Sequence, residues 1–156
     1  MKKQDKTNVM RLLEAAKIPY EAHYYKADPT MSGGQIAAIL GEDDKVVFKT
    51  LVTRGKSGGY YVFVIPVAAE LNLKKAAKAA GEKAVSMIKQ KELLPLTGYV
   101  HGGCSPIGMK KPFPTWIHET AEGKTIYVSA GRVGAQIEVR AEDLISMTGC
   151  QLAELV

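Results

Sequence analysis

The stretch that decides the fold is VVFKTLVTRGKSGGYYVFVI, residues 46–65, in which two apolar runs flank a glycine-rich segment. Branched and aromatic residues favour β-strands, and the glycines and serine favour a turn between them. The pattern predicts a β-hairpin with strands over residues 46–52 and 60–65. Lys49 falls inside the first strand, on the same face as Val47 and Leu51, because side chains alternate between the two faces of a strand.

Helices and further strands are predicted on both sides of this hairpin. Ser32 and Gln35 have the spacing of a capping box, and Asn72 and Gly81 suit the start and end of another helix. A first helix begins after Asp5 or Thr7, and later helices cover residues 90–94 and 142–147. The remaining strands cover residues 20–25, 84–88, 115–119, 125–130 and 137–139, with a turn at residues 121–124. The order predicts an α+β fold with a mixed, curved sheet.

Length and composition agree with one globular domain spanning residues 1–156. The chain is 46% hydrophobic and 24% charged, which excludes wholesale disorder, a fibre and a disulfide-stapled miniprotein. No run approaches the ~20 apolar residues that cross a bilayer. The lysines at the N-terminus are not followed by the apolar segment of a secretory signal, so we expect a cytoplasmic protein.

The charge balance favours an anionic partner. Lysine and arginine total 21 against 16 acidic residues, a net charge of +5, which attracts polyanions such as nucleic acid but also serves solubility alone. Cys104 and Cys150 have neither metal nor redox spacing, and we expect free thiols. No cluster of histidine, cysteine and carboxylate is visible in the sequence, so we expect no metal and no cofactor.

Lys49 is the most informative single residue. Both faces of its strand are largely apolar, so a lysine there is costly unless its ammonium meets an anion, carbonyl groups or a cleft. One interpretation is a lysine that reaches water near the strand end. The other is a cation in a cleft that binds a phosphate or the carboxyl-derived end of a substrate.

The loop from Gly102 to Gly108 is the second candidate. Its glycines allow close backbone approach, and free amides could stabilise an oxyanion, while the neighbouring Lys110 and Lys111 could contact phosphates. His101 and Cys104 lack a third catalytic partner, which disfavours a cysteine nucleophile. Ser129 has no nucleophile-elbow context, and a turn hydroxyl bonded to the backbone is the simpler interpretation.

The same segments resemble the YbaK family of free-standing aminoacyl-tRNA editing proteins. The resemblance rests on the motifs FKTLV, FVIPV, LKK, TGYV, GGCSPIG and SAG, which begin at residues 48, 63, 73, 97, 102 and 129. They cover roughly residues 5–150 in the family's order. The resemblance implies an α+β domain with a mixed, barrel-like sheet flanked by helices.

The resemblance also implies roles for individual residues. Lys49 matches the family's essential lysine, and Gly102 and Gly103 would supply amides to the oxyanion. Pocket-lining or substrate-contacting positions would be Tyr20, Thr50, Ser105, Pro106, Ser129 and Gly131. Many members carry an aspartate where this chain has Gln136, which leaves no carboxylate there. The segment from Asp28 to Met31 aligns too loosely for a role.

The implied activity is removal of cysteine from mischarged Cys-tRNA(Pro), with Cys-tRNA(Cys) as a second candidate substrate and prolyl-tRNA synthetase as a partner. The substrate thiol would attack its own ester, so positioning replaces a protein nucleophile. Two alternatives stay open: water-mediated deacylation of Ala-tRNA(Pro) on the same fold, and a non-catalytic module that binds RNA or a synthetase. Activity towards the differently charged tRNAs separates these possibilities.

Overall fold

The predicted hairpin forms the centre of the larger of two β-sheets in the computed structural model, which describes residues 6–26 and 30–156. Within these ranges the helices are α1 Asn8–Ala15, α2 Gly33–Leu40, α3 Leu73–Ala80, α4 Gln90–Thr97 and α5 Ala141–Thr148, with a 3-10 turn at Glu119–Ala121. The strands are β1 Glu21–Tyr24, β2 Phe48–Gly55, β3 Tyr60–Pro66, β4 Val85–Met87, β5 Thr115–His118, β6 Thr125–Arg132, β7 Ala135–Arg140 and β8 Gln151–Ala153.

The larger sheet has the strand order β4-β2-β3-β5-β8, and the smaller one has the order β1-β7-β6. In the hairpin, β2 pairs antiparallel with β3 and places Lys49 opposite Ile65. β5 runs parallel to both β3 and β8, so the larger sheet is mixed. The α+β prediction is confirmed. The sheet implied by the resemblance is divided in two, joined by a bridge between Val47 and Tyr127, and it does not close into a barrel within the described residues.

The helix ends follow the capping signals of the sequence. Ser32 and Gln35 form the expected capping box of α2, and Asn72 accepts hydrogen bonds from two amides at the start of α3. Thr7 caps α1, whereas Asp5, the other candidate, lies outside the described residues. These caps satisfy amides that would otherwise lack partners and fix where each helix begins.

The largest group of buried side chains lies between α1, α5 and the smaller sheet. Val9, Leu13, Ile126, Ile137 and Leu144 are all fully buried in it. A second group, around Phe63 and Ile65, packs α3 against the larger sheet. Packing on both sides of these sheets holds β2, β6 and β7 in fixed relative positions. Among the described residues, no helix is long and apolar enough to cross a membrane.

Candidate active site

A cavity of about 420 Å³ opens where the two sheets meet the first turn of α2. We call it the central cavity. The strand β2 and the loop before Cys104 form two of its walls, and β6 and β7 contribute one polar residue each. The lining residues are Met31, Ser32, Gly33, Gly34, Ile36, the five residues 47–51, Val67, Leu93, His101, Gly102, Cys104, Ser129 and Gln136.

Apart from the titratable His101, Lys49 is the only charged residue among the described lining residues. It is half-buried on β2, and the structure gives its ammonium neither a hydrogen bond nor an ion pair with any described residue. No Asp or Glu lines the described part of the cavity. A cation without a neighbouring carboxylate favours binding of an anion, such as a phosphate or a developing oxyanion.

Two buried polar atoms of the lining residues lack partners among the described residues. These atoms are Thr50 Oγ1, from β2, and Gln136 Oε1, from β7. The amide of Gln136 approaches Tyr25 through its other end, with Nε2 3.5 Å from the tyrosine hydroxyl. Burial raises the pKa of Tyr25, so its hydroxyl stays protonated. Unpartnered buried polar atoms are rare in native proteins and, in a cavity, indicate groups that a ligand can satisfy.

The two glycines expected to supply amides differ in their surroundings. Gly102 lines the cavity with φ +88°, a conformation that favours glycine, and its N–H has no acceptor in the described structure. Gly103 is buried outside the cavity lining, and its N–H donates to the Val100 carbonyl at 3.0 Å. The Gly103 amide thus already closes a turn, and the role of both glycines as donors to the oxyanion stays a prediction.

Comparisons with known proteins agree with this geometry. The model of a family described as "Aminoacyl-tRNA editing domain" matches residues 27–147. A protein of Enterococcus faecalis named "Putative Cys-tRNA(Pro)/Cys-tRNA(Cys) deacylase EbsC" is 47% identical over 156 residues, covering 99% of this chain and 95% of its own length.

The chain belongs to the aminoacyl-tRNA editing domain family.

Solved structures share the fold of this editing domain. One, of "hypothetical protein APE2540", has a TM-score of 0.85 and 26% identity, and covers 94% of this chain and 97% of its own. Another, described as "a putative trans-editing enzyme for prolyl tRNA synthetase", has a TM-score of 0.80 and 24% identity, with coverage of 97% and 98%. The family resemblance seen in the sequence is confirmed, and the second match supports the fold alone.

Four residues predicted from the sequence meet at the central cavity of the editing domain: Lys49, Thr50, Gly102 and Ser129. Ser129 is buried, and its Oγ accepts a hydrogen bond from the Gly131 amide at 3.1 Å. That bond confirms the expectation of a serine hydroxyl bonded to the local backbone. The bulge after Ser129 in β6 places this hydroxyl at the end of the regular ladder.

Tyr20 does not reach the cavity lining of the editing domain. Its hydroxyl donates to Glu14 Oε2 at 2.5 Å, and its ring packs against the main core. Burial and the nearby carboxylate raise the pKa of Tyr20 to about 12. The tyrosine therefore ties β1 to α1, and its contact with substrate stays a prediction. A tyrosine closer to the cavity is Tyr25, which sequence reasoning missed because several tyrosines fall in the same short segment.

Three further predicted residues lie behind or beside the cavity lining. Ser105 is fully buried, and its Oγ accepts from the Ile107 amide. Pro106 lines a different cavity of about 520 Å³, next to Lys111. Gly131 has φ +94° and lies against Val9 and Tyr99, where an added Cβ would come within 3.1 Å of both side chains. These residues shape the loops around the site, and their contact with substrate stays a prediction.

Lys110 and Lys111 are both exposed, and neither lines the central cavity. The Lys110 amide donates to the Thr97 carbonyl, which fixes its backbone beside the end of α4. Lys111 lines the 520 Å³ cavity with Pro106. Their role as phosphate contacts therefore stays a prediction and would concern RNA outside the central cavity.

Cys104 is a buried thiol in the cavity lining of the editing domain. Burial raises its pKa to about 12, so the sulfur stays protonated near neutral pH. A thiol nucleophile needs an electropositive setting that lowers the pKa. The nearby His101 is exposed and makes no hydrogen bond with a described residue. The structure therefore supports the interpretation that Cys104 is a packing residue.

A group of two glutamates and a histidine on the smaller sheet was not evident from the sequence. Ligand atoms of Glu21, His23 and Glu138 lie within 4.8 Å of one another. His23 Nε2 is 2.9 Å from Glu138 Oε1, and this hydrogen bond is the main reason that the Glu138 pKa falls below its usual value. The 115 residues that separate His23 and Glu138 in sequence concealed the group. The group has the ligand types and spacing of a metal site, so the expectation of no metal stays a prediction.

The first turn of α2 is the part of the cavity that sequence reasoning did not assign. Gly33 packs so closely on Val67 that an added Cβ would lie 2.5 Å from the valine Cβ. This close approach lets Ser32, Gly33 and Gly34 line the cavity opposite β2. The Ser-Gly-Gly signal correctly predicted a helix start, but it contains nothing about which strand the helix approaches.

Proposed function

We propose that this protein is a trans-editing deacylase that removes cysteine from mischarged Cys-tRNA(Pro), and that Cys-tRNA(Cys) is a second substrate. The observation that carries the proposal is the unpaired Lys49 ammonium in a cavity that also presents the free Gly102 amide. The E. faecalis relative, at 47% identity over nearly the whole of both chains, supports the cysteinyl substrate.

In this proposal Lys49 binds the phosphate of the terminal adenosine or the ester end of the substrate. The Gly102 amide donates to the oxyanion that forms at the ester carbonyl. The unpartnered atoms Thr50 Oγ1 and Gln136 Oε1 bond polar groups of the aminoacyl-adenosine, with Gln136 accepting from the α-ammonium. Ser129 supports the floor of the cavity between them.

The proposed reaction uses the substrate's own sulfur. The cysteine thiol attacks the ester carbonyl, so a carbon–sulfur bond forms and the carbon–oxygen bond to the ribose breaks. The thiol proton ends on the released ribose hydroxyl, and the amino acid leaves as a cyclic thioester. Intramolecular attack has a high effective molarity, provided that the cavity holds the sulfur against the carbonyl. A required thiol also separates cysteine from alanine far better than shape, which gives ~1–3 kcal/mol per methylene.

We further propose that a synthetase supplies the tRNA identity. An editing domain of 156 residues offers little surface with which to distinguish tRNA bodies, so prolyl-tRNA synthetase is the expected partner. Because charged tRNA and synthetases work in the cytosol, we expect this protein there. Comparing deacylation with and without the synthetase tests the partnership: an accelerated reaction supports it, and an unchanged rate at limiting enzyme contradicts it.

The decisive experiment is a deacylation panel with Cys-, Ser- and Ala-tRNA(Pro). We expect rapid loss of cysteine and slow loss of the other two amino acids, because only cysteine carries the attacking thiol. Equal rates for Cys- and Ser-tRNA(Pro) would refute the thiol route and favour activated water. Preferential release of alanine would move the assignment to an Ala-tRNA(Pro) deacylase, and no release of any amino acid would leave the non-catalytic module.

A further inference from the structure

A shallow groove beside the central cavity combines exposed aromatic and basic side chains. We call it the Tyr24 groove, and it is lined by Tyr24, Tyr25, Lys26, Arg132, Val133 and Gly134. Tyr24 is 39% exposed, and Lys26 is exposed next to it. The Arg132 guanidinium carbon lies 5.8 Å from the centre of the Tyr24 ring. No acidic residue lines the groove within the described part of the chain.

The groove adjoins the central cavity at two points. Tyr25 lines the groove and contacts Gln136, which lines the cavity. On the other side, Gly103 packs against the backbone of Arg132 and Val133, where its added Cβ would lie only 3.0–3.2 Å from their atoms. Gly103 directly follows Gly102, the cavity residue with the free amide. A nucleic-acid strand that leaves the cavity on this side therefore enters the groove within one or two nucleotides of the site.

We infer that the Tyr24 groove binds the unpaired 3′ nucleotides of the tRNA that precede the esterified adenosine. Single-stranded nucleic acids are bound by aromatic rings that stack on bases and by cations that contact the backbone, and the groove holds both. The tyrosine ring with the guanidinium above it supplies a stacking platform, and Lys26 and Arg132 supply positive charge. The inference rests on the proposed function, because it takes the cavity as the place of the terminal adenosine.

Contacts within the chain hold the two tyrosines of the groove in place. The Tyr25 amide donates to the Gly134 carbonyl at 2.9 Å, which fixes β1 against the turn that follows β6. The Tyr24 hydroxyl reaches Met10 Sδ at 3.6 Å and so holds the ring against α1. A preformed platform loses little conformational entropy when a base stacks on it, which favours binding.

Binding of uncharged tRNA tests the groove independently of catalysis. We would measure, by fluorescence anisotropy, the affinity for 5′-labelled tRNA(Pro) and for the same tRNA without its unpaired 3′ nucleotides. The wild type should bind the intact tRNA at least about fivefold more tightly, the lower end for one stacked base. Tyr24→Ala should remove most of this preference, and Tyr24→Phe should restore it because the ring is kept.

The contribution of the groove's positive charges to RNA binding is measured separately, through the salt dependence of the affinity. Arg132→Gln and Lys26→Gln should each reduce the slope of log affinity against log salt by about 0.7, the value for one phosphate contact on a single strand. The matched control is Lys83→Gln, an exposed lysine before β4 in the other sheet, which should keep the wild-type slope. Circular dichroism melts would confirm that each variant is folded, and Lys26→Gln keeps the test decisive if Tyr24→Ala unfolds.

The outcomes distinguish this inference from the proposed function. Loss of 3′-end preference in the variants, with the control unchanged, supports the groove even if no aminoacyl-tRNA is deacylated. If the variants keep the wild-type preference for the intact 3′ end, or if the wild type shows no such preference, the groove inference is overturned even if deacylation is confirmed. Variants that lose binding to prolyl-tRNA synthetase while keeping the 3′-end preference also overturn it and assign the surface to a protein partner.

Discussion

Replacing Lys49 by methionine removes the cation of the central cavity while keeping most of the side-chain volume. Lys49 is half-buried and its ammonium has no ion-pair partner among the described residues, so the change leaves no opposite charge unpaired. We therefore expect the free energy of unfolding to change by less than about 0.5 kcal/mol, as for surface substitutions. Thermal unfolding by circular dichroism measures this.

The effect on deacylation should be much larger. A unit charge ~4 Å from an anion contributes about 4 kcal/mol at an effective dielectric constant of ~20, and partial exposure of Lys49 reduces that value. Losing one oxyanion donor costs a comparable ~3–4 kcal/mol. At 1.4 kcal/mol per factor of ten, Lys49→Met should lower kcat/KM by about 10²- to 10³-fold.

The assay is single- and multiple-turnover deacylation of Cys-tRNA(Pro), which also distinguishes the two roles proposed for Lys49. If Lys49 binds the adenosine phosphate equally in the ground state and the transition state, its removal raises KM and leaves kcat unchanged. If Lys49 stabilises the oxyanion, its removal lowers kcat. The matched control is Lys83→Met, which removes an exposed lysine before β4 and should keep the wild-type rate. A folded Lys49→Met protein within threefold of the wild type would refute the reasoning.

Three further predictions concern other residues of the site and its supports. Cys104→Ala should retain most deacylation activity, and loss of activity would instead favour Cys104 as the nucleophile. Iodoacetamide should label Cys104 of the folded protein very slowly at pH 8, since a pKa of about 12 leaves little thiolate. Gly33→Ala should destabilise the fold by about 1–3 kcal/mol through the Val67 contact, whereas Gly34→Ala has its nearest neighbour at 3.9 Å and should be neutral or stabilising in urea unfolding. The folded-state pKa of Glu138 is lowered, so this carboxylate stabilises the protein above its unfolded pKa near ~4.3, and the contribution is lost as pH falls through the folded pKa. The difference in the free energy of unfolding between the wild type and Glu138→Gln should therefore shrink below about pH 4. A difference that stays constant with pH contradicts the prediction.

Local signals in the sequence predicted the helices well. The capping box at Ser32 and Gln35 and the glycine after α2 fix that helix within a residue at each end, and Asn72 and Gly81 do the same for α3. Capping depends on side chains within one turn of the helix end, so it is visible without knowledge of the fold.

Strand pairing was much less predictable. The two strands around the turn at residues 121–124 exist, but β5 joins β3 and β8 in the larger sheet while β6 joins β7 in the smaller one. The short strand β8 was not predicted. Its pairing with β5 depends on residues that lie more than 30 positions apart, a distance over which periodicity gives no information.

The candidate site was likewise predicted only in part. Lys49 stood out because burying a lysine in an apolar strand is costly unless its charge has a partner, and the glycine-rich loop indicated Gly102. What the sequence could not show is how each amide is used: Gly102 keeps its N–H free and Gly103 does not, because a turn back to Val100 takes the second one. A hydrogen-bond assignment of this kind depends on the folded path of the loop.

The chemistry available in the described cavity is that of binding and positioning. The Cys104 thiol is protonated, the Ser129 hydroxyl accepts a backbone hydrogen bond, and His101 is exposed with no described group to orient its ring, unlike a positioned general base. The Lys49 cation and the free Gly102 amide of the cavity lining can stabilise negative charge but cannot attack an ester. A substrate that brings its own nucleophile suits such a site, and cysteine does so through its thiol, which is why the substrate panel tests the mechanism as well as the specificity.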